Sequence, residues 1–215
     1  MRQSFHFMFL VIISICTISF LKIDGYELPL LGKIIYLDAG HGGVDVGANY
    51  KNIYEKDINL SIVKILASKL ENMGATVYLT RYGDYDLSNV GVRYRKRSDL
   101  YNRAKVINNS TADIYISIHL NSTTSSVWSG AQVFYDDVNN DNIILANFLK
   151  ESIGTKREVV EISDMYFNRL VKIPGVLVEV GFLSNSYDRN NLINLDYQEK
   201  ISDKIIDGII NYFTM

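Results

Sequence analysis

Two strand-like runs in this chain are apolar at nearly every position, Ile114-Tyr115-Ile116-Ser117-Ile118-His119 and Val176-Leu177-Val178-Glu179-Val180-Gly181-Phe182. A strand covered on one face alternates apolar with polar residues. A near-continuous apolar run marks a strand buried on both faces, as in a parallel sheet between layers of helix. Strands are expected at residues 33–38, 75–80, 113–119, 130–135 and 175–181, with Pro174 tolerated just before the last. Helices are expected at 56–73, where Ile58, Leu60, Ile62, Val63, Ile65, Leu66 and Leu70 form an apolar stripe, and at 97–109, 140–153 and 196–213. Asp196 is the expected cap of the last helix, and residues 163–171 are read as a shorter helix or a turn. Strands alternating with helices predict one α/β domain, a mostly parallel twisted sheet flanked by helices. A length of 215 residues suits one such core and is short for two.

The first residues are read as a targeting segment. Arg2 supplies positive charge, Phe7 to Leu21 is apolar apart from Ser14, Thr17 and Ser19, and Lys22, Asp24 and Gly25 restore polarity. The apolar run is short for a membrane span. Ile23-Asp24-Gly25 is a poor cleavage site, so residues 1–25 are expected to be either a cleaved signal or a retained membrane anchor, the only contact with a membrane. The catalytic domain is expected at 32–215. The single cysteine, Cys16, lies in the targeting segment behind the bulky Ile15, which argues against lipid attachment. The exported chain then has no thiol, which excludes a disulfide scaffold and a cysteine nucleophile. A net charge of −2 gives no reason to expect a nucleic-acid partner.

Beyond residue 25 only two histidines remain, His41 and His119, and each follows an apolar strand. Ligands of α/β proteins gather where strands end, and imidazole is the commonest ligand of transition metals. His41 sits in Asp38-Ala39-Gly40-His41-Gly42-Gly43, whose glycines allow a tight turn with backbone close to an ion or substrate. A carboxylate opens the next helix, either Glu55 or Asp57. Asn121, beside His119, is placed to hold a substrate amide. Glu179 stands in the middle of an apolar strand, where an unpaired carboxylate costs several kcal/mol or takes up a proton. It therefore needs a salt-bridge partner or a catalytic task. Two histidines and one carboxylate with an open fourth position form the catalytic zinc pattern, in which the ion brings the pKa of a water to about 7 and polarises a carbonyl. A general base at Glu179 would take the proton and pass it to the leaving nitrogen, which is amide hydrolysis.

The stretch from Asp38 through Ala48 resembles the opening motif of the zinc-dependent N-acetylmuramoyl-L-alanine amidases of the Amidase_3 type. Glu55-Lys56-Asp57-Ile58-Asn59-Leu60 resembles their second motif, Ser117 to Asn121 the third, and Pro174 to Asn185 the fourth. Leu79-Thr80-Arg81, Asp84, Leu100, Arg103 and Asn108 follow the same spacing. The resemblance implies a zinc-exopeptidase-like fold and zinc ligands His41, Glu55 and His119, choosing Glu55 over Asp57. It also implies Glu179 as catalytic acid/base, with Gly42, Gly43 and Asn121 at the substrate. The implied reaction cuts the amide between the lactyl group of N-acetylmuramic acid and the L-alanine of the peptidoglycan stem.

Two departures narrow the resemblance. The stretch from His119 to Gly130 is too short for the inhibitory helix of some cell-division members, and no wall-binding repeats accompany the domain. A bare domain behind a signal is similar to the spore-cortex amidases that act in germination, which remove stem peptides before muramic-δ-lactam forms. That places the expected enzyme outside the cytoplasm, in the space between forespore and mother cell or in the wall. A protein activator or localising partner is a candidate requirement. A zinc peptidase cutting within the stem and a non-catalytic peptidoglycan binder are the competing readings.

Overall fold

A computed structural model describes residues 28–215. The expected signal or anchor, residues 1–25, lies outside the described residues. In chain order the elements are β1 (Ile34–Ala39), β2 (Asn49–Tyr50), β3 (Ile53–Tyr54), α1 (Glu55–Asn72), β4 (Thr76–Leu79), α2 (Arg95–Asn108), β5 (Ile114–Asn121) and β6 (Gln132–Tyr135). They continue with α3 (Asp141–Ile153), β7 (Val160–Glu161), α4 (Tyr166–Leu170), β8 (Gly175–Phe182), α5 (Ser186–Leu192) and α6 (Leu195–Phe213).

Six strands form one sheet in the order β4-β1-β5-β8-β6-β7. The four strands β4, β1, β5 and β8 run parallel, and β6 reverses direction against β8. This is the expected mostly parallel α/β sheet. The segment 163–171, read as a shorter helix or a turn, contains the five-residue helix α4 as expected. Four differences stand out. β2 and β3 form a separate short hairpin, and β7 adds a two-residue edge to the sheet. Helix α5 went unforeseen, because it is short and largely polar and its start is fixed by Asn185, whose side chain accepts from the amides of Tyr187 and Asp188. The last helix is capped not by Asp196 but by Asn194, whose side chain accepts the Asp196 amide. An Asn in extended conformation before the first turn meets the cap requirement, while Asp196 lies within that turn.

Side chains alternate across the sheet, so each face can be read off the strands. One face carries Ile35, Leu37 and Ala39 of β1, Ile114, Ile116 and Ile118 of β5, and Val176, Val178 and Val180 of β8. It packs against α1, α3 and α6 in a single large apolar cluster. The opposite face starts apolar, with Tyr36 and Tyr115 against Ala104 and Ile107 of α2 and Phe167 of α4. Toward the carboxyl ends of the same strands it turns polar. Asp38 stands beside Ser117, and His119 beside Glu179, in the strand register. The fold thus brings the polar positions of three apolar strands to one edge of one face.

Candidate active site

His41, Glu55 and His119 converge at that edge. His41 Nε2 lies 3.2 Å from Glu55 Oε1, and His119 Nδ1 lies 3.1 Å from the same oxygen. The donor atoms of the three residues all fall within 4.8 Å of one another, so the cluster is able to hold a metal ion. Ligands about 2.0–2.1 Å from a tetrahedral ion stand roughly 3.3 Å apart, so the two close spacings match such a site. Each residue arrives by a different route. His119 follows the fully buried run Ile114–Ile118 of β5. His41 follows β1 in a left-handed turn, φ +63°, a conformation non-glycine residues adopt rarely. Glu55 opens α1, where the helix amides favour a carboxylate. The structure separates the two helix acids, with Glu55 buried and Asp57 exposed.

The surroundings fix these side chains. Glu55 Oε1 accepts the Leu120 amide at 3.0 Å and Oε2 the Ala48 amide at 2.7 Å. Burial alone would raise its pKa, but the hydrogen bonds and charges of His119 and His41 outweigh it and hold the carboxyl well below the usual carboxylate range. His41 Nδ1 pairs with Asp45 Oδ2 at 3.0 Å. With Nδ1 engaged there, Nε2 is the ring nitrogen left to face the cluster, the second-partner arrangement that orients metal-binding imidazoles. Gly40 is required by the close approach of backbone to ligand, since a Cβ there would lie 2.3 Å from the His119 ring.

Two arginines, Arg81 and Arg103, wrap the turn that carries His41. Arg103 donates to Asp38 Oδ1 and to the carbonyl of Ala39, both at 2.7 Å, and also to the His41 carbonyl. Arg81 donates to the carbonyls of Ala39, Gly40 and Lys56. Asp38 is satisfied in turn by Thr80 at 2.7 Å and Ser117 at 2.6 Å. Burial would push the Asp38 carboxyl up, but the Arg103 charge and these hydroxyls hold it down. Asp38 and Arg103 have no assigned task in the sequence reading. The available signal was the same as for Glu179, a carboxylate in an otherwise apolar strand.

Glu179 reaches this cavity, yet its Oε2 is cut off from solvent and has no hydrogen-bond partner. No ion pair forms, so the salt-bridge explanation of a carboxylate in this strand is removed among the described residues. Burial pushes the Glu179 carboxyl up to about 7, with the Glu55 charge adding to the rise and the histidines opposing it. The cavity measures about 370 Å³. The two histidines, Glu55 and Glu179 line it together with Lys96, Leu100, Met165 and Tyr166.

Gly42, Gly43 and Asn121 do not line it. The Gly43 amide donates to Asp84 and its carbonyl accepts from Lys56, while a Cβ on Gly42 would meet the Tyr85 carbonyl oxygen at 2.3 Å. Both glycines serve the packing of the His41 turn. Asn121 is two residues beyond His119, where the pairing of β5 with β8 shifts register.

The chain resembles known proteins. Residues 35–211 match the family described as N-acetylmuramoyl-L-alanine amidase, Amidase_3. A germination-specific N-acetylmuramoyl-L-alanine amidase of Bacillus subtilis (strain 168) is 40% identical over 222 residues, covering 98% of this chain and 94% of the relative. Among solved structures, the CwlD amidase of Clostridioides difficile, in complex with the GerS lipoprotein, matches with a TM-score of 0.82 and 39% identity, over 85% of this chain and 99% of that one. The catalytic domain of the amidase CwlV from Bacillus (Paenibacillus) polymyxa var. colistinus matches with a TM-score of 0.73 and 31% identity, over 85% and 98%. With the family pattern covering nearly all of the sheet and every residue of the metal-binding cluster, the chain belongs to the N-acetylmuramoyl-L-alanine amidase family of cell-wall hydrolases.

Proposed function

We propose that the protein is a zinc-dependent amidase that cuts the bond between the lactyl group of N-acetylmuramic acid and the L-alanine of the peptidoglycan stem. His41, Glu55 and His119 hold the ion. The observation that carries this reading is the convergence of those three donors beside the half-buried Glu179, whose Oε2 has no hydrogen-bond partner. Bound zinc supplies Lewis acidity toward a water and toward the amide carbonyl. Two neutral imidazoles and one carboxylate are the ligand set that leaves such an ion a net positive charge and an open position. Asp45 keeps the His41 ring in place, and the two arginines keep the turn in place.

Glu179 does the proton work. Its raised pKa matches a group that takes a proton from the attacking water and returns it to the departing nitrogen near neutral pH. Asn121, two residues beyond His119 where the β5–β8 pairing shifts register, is assigned to the stem-peptide backbone, and Gly42 and Gly43 to the turn over which the substrate passes.

The chain's likeness to a germination-specific enzyme along almost its whole length supports a role in the spore cortex, ahead of muramic-δ-lactam formation. An exported location follows from such a substrate, with residues 1–25 as signal or anchor and 32–215 as the catalytic domain. No helix among the described residues is long and apolar enough to cross a membrane. The neighbouring structure with a bound lipoprotein supports a protein partner for this chain as well.

The test is mass spectrometry of purified peptidoglycan incubated with the protein, with added zinc and with chelator. Zinc-dependent release of whole stem peptides beginning with L-alanine is expected. Shortened stems would assign a peptidase, and an absence of products with zinc and partner present would assign a binding role.

A further inference from the structure

We propose that the start of α2 forms a cationic wall that binds the free carboxylates of the stem peptide; this rests on the amidase reading of the adjoining site. Arg93, Arg95, Lys96 and Arg97 place four cations in five residues of a chain whose net charge is −2. The first turn of α2 contains no acid. Helix N-termini favour anions, so cations concentrated there are unfavourable for the fold taken alone. They call for an external partner.

The contacts show which of the four are free to take one. Arg95 is neutralised by Asp86 at 2.7 Å. The others are not. Arg97 rests over the Tyr166 ring at 5.0 Å and Arg93 over the Tyr94 ring at 5.3 Å, and among the described residues neither makes an ion pair. Stacking fixes a guanidinium in place while leaving its N–H edge open to a carboxylate, which it can meet with two parallel bonds. The Lys96 ammonium is exposed, with Asp45 at 3.9 Å as its acidic neighbour. Asp45 holds His41, so Lys96 stands two contacts from a proposed zinc ligand.

The geometry connects this wall to the reaction. Lys96, Leu100 and Tyr166 line the active-site cavity and also the groove that continues from it past Tyr94 and Arg97. A substrate leaving the cavity along this groove meets cations and aromatic rings. Of the two arms of peptidoglycan, the glycan strand carries no regular charge, whereas the stem carries carboxylates. The second stem residue is joined through its side-chain carboxyl and keeps its α-carboxylate, one residue past the scissile amide. The wall therefore complements the stem and fixes its direction over α2.

The experiment compares kcat/KM on two muropeptides that differ only at that group, a free α-carboxylate or its amide, for the zinc-loaded wild type and for the double variant Lys96→Gln, Arg97→Gln. The wild type is expected to prefer the free carboxylate by about tenfold, the size of one charge-assisted contact, and the double variant to treat the two alike. Arg97→Lys should keep part of the preference. A wild type indifferent to amidation, or a double variant with the preference intact, overturns the proposal. A double variant weakened equally on both stems also overturns it, and marks the wall as a surface for another partner. A wild type that cleaves neither stem removes the amidase reading itself.

Discussion

The two faces of the central sheet are made from the same strands and do different things. Beneath α1, α3 and α6 the inward positions of β1, β5 and β8 are apolar, and Ile62, Leu66, Leu149, Ile205 and Ile209 meet the strands with no exposure. Beneath α2 and α4 the apolar part is small, and buried charge replaces it: Asp38, Asp99 and Arg103 are each almost wholly enclosed. Only this second face supplies His119 and Glu179, while Glu55 reaches over the sheet edge from the first turn of α1. The difference teaches where the sequence spends stability. A dense apolar face holds the strands in register, and the opposite face can then carry unpaired or strained groups, among them Glu179 and the left-handed His41.

If the division is right, substitutions on the two faces separate stability from chemistry. The largest expected effect is Glu179→Gln, with kcat falling by about 10²–10⁴ while metal analysis still finds one zinc per chain. Near-wild-type turnover would remove Glu179 from the mechanism. Arg103→Met comes next, because it leaves Asp38 buried without its cation and is expected to lower unfolding free energy by about 3–5 kcal/mol together with activity. Leu66→Ala on the apolar face should cost about 2–5 kcal/mol in denaturant but leave kcat unchanged in the folded fraction. If its kcat falls as far as that of Arg103→Met, the division between faces fails.

Asp45→Asn sharpens the comparison within the polar face. It should weaken zinc binding by about 10–100-fold, read by competition with a chromogenic chelator, with little change in stability of the metal-free protein. The smallest effect concerns pH. The Glu179 carboxyl rises from an ordinary 4.5 to about 7 on folding, so between these values the folded protein binds more protons than the unfolded one. Stability of the chelated wild type should therefore fall as pH rises through this window, by up to about 1.4 kcal/mol per pH unit. Glu179→Gln should flatten that slope, and an unchanged slope would place the titration elsewhere.

Much of this was legible in the sequence, and the reasons differ by region. The apolar runs of β5 and β8 announced buried parallel strands, because a continuous apolar run has no other economical place in an α/β fold. Glu179 was legible for the same reason, since an acid stands out against Val178 and Val180. Elements set by distant polar contacts were not legible. Helix α5 begins at Asn185 and is held by Asp188, whose carboxylate takes the amides of Phe182 and Gly130. The choice between Glu55 and Asp57 depends on which side of the helix meets Leu120 and Ala48, and spacing alone left it open. The Asp38–Arg103 pair spans 65 residues and becomes visible only once α2 lies across the sheet.

The most direct test of the account is zinc-edge anomalous diffraction from crystals of the zinc-loaded protein. One anomalous peak bonded to His41, Glu55 and His119, with its open position facing Glu179, is the predicted result. A peak held by Asp57, or one closed by a fourth protein ligand, would contradict it.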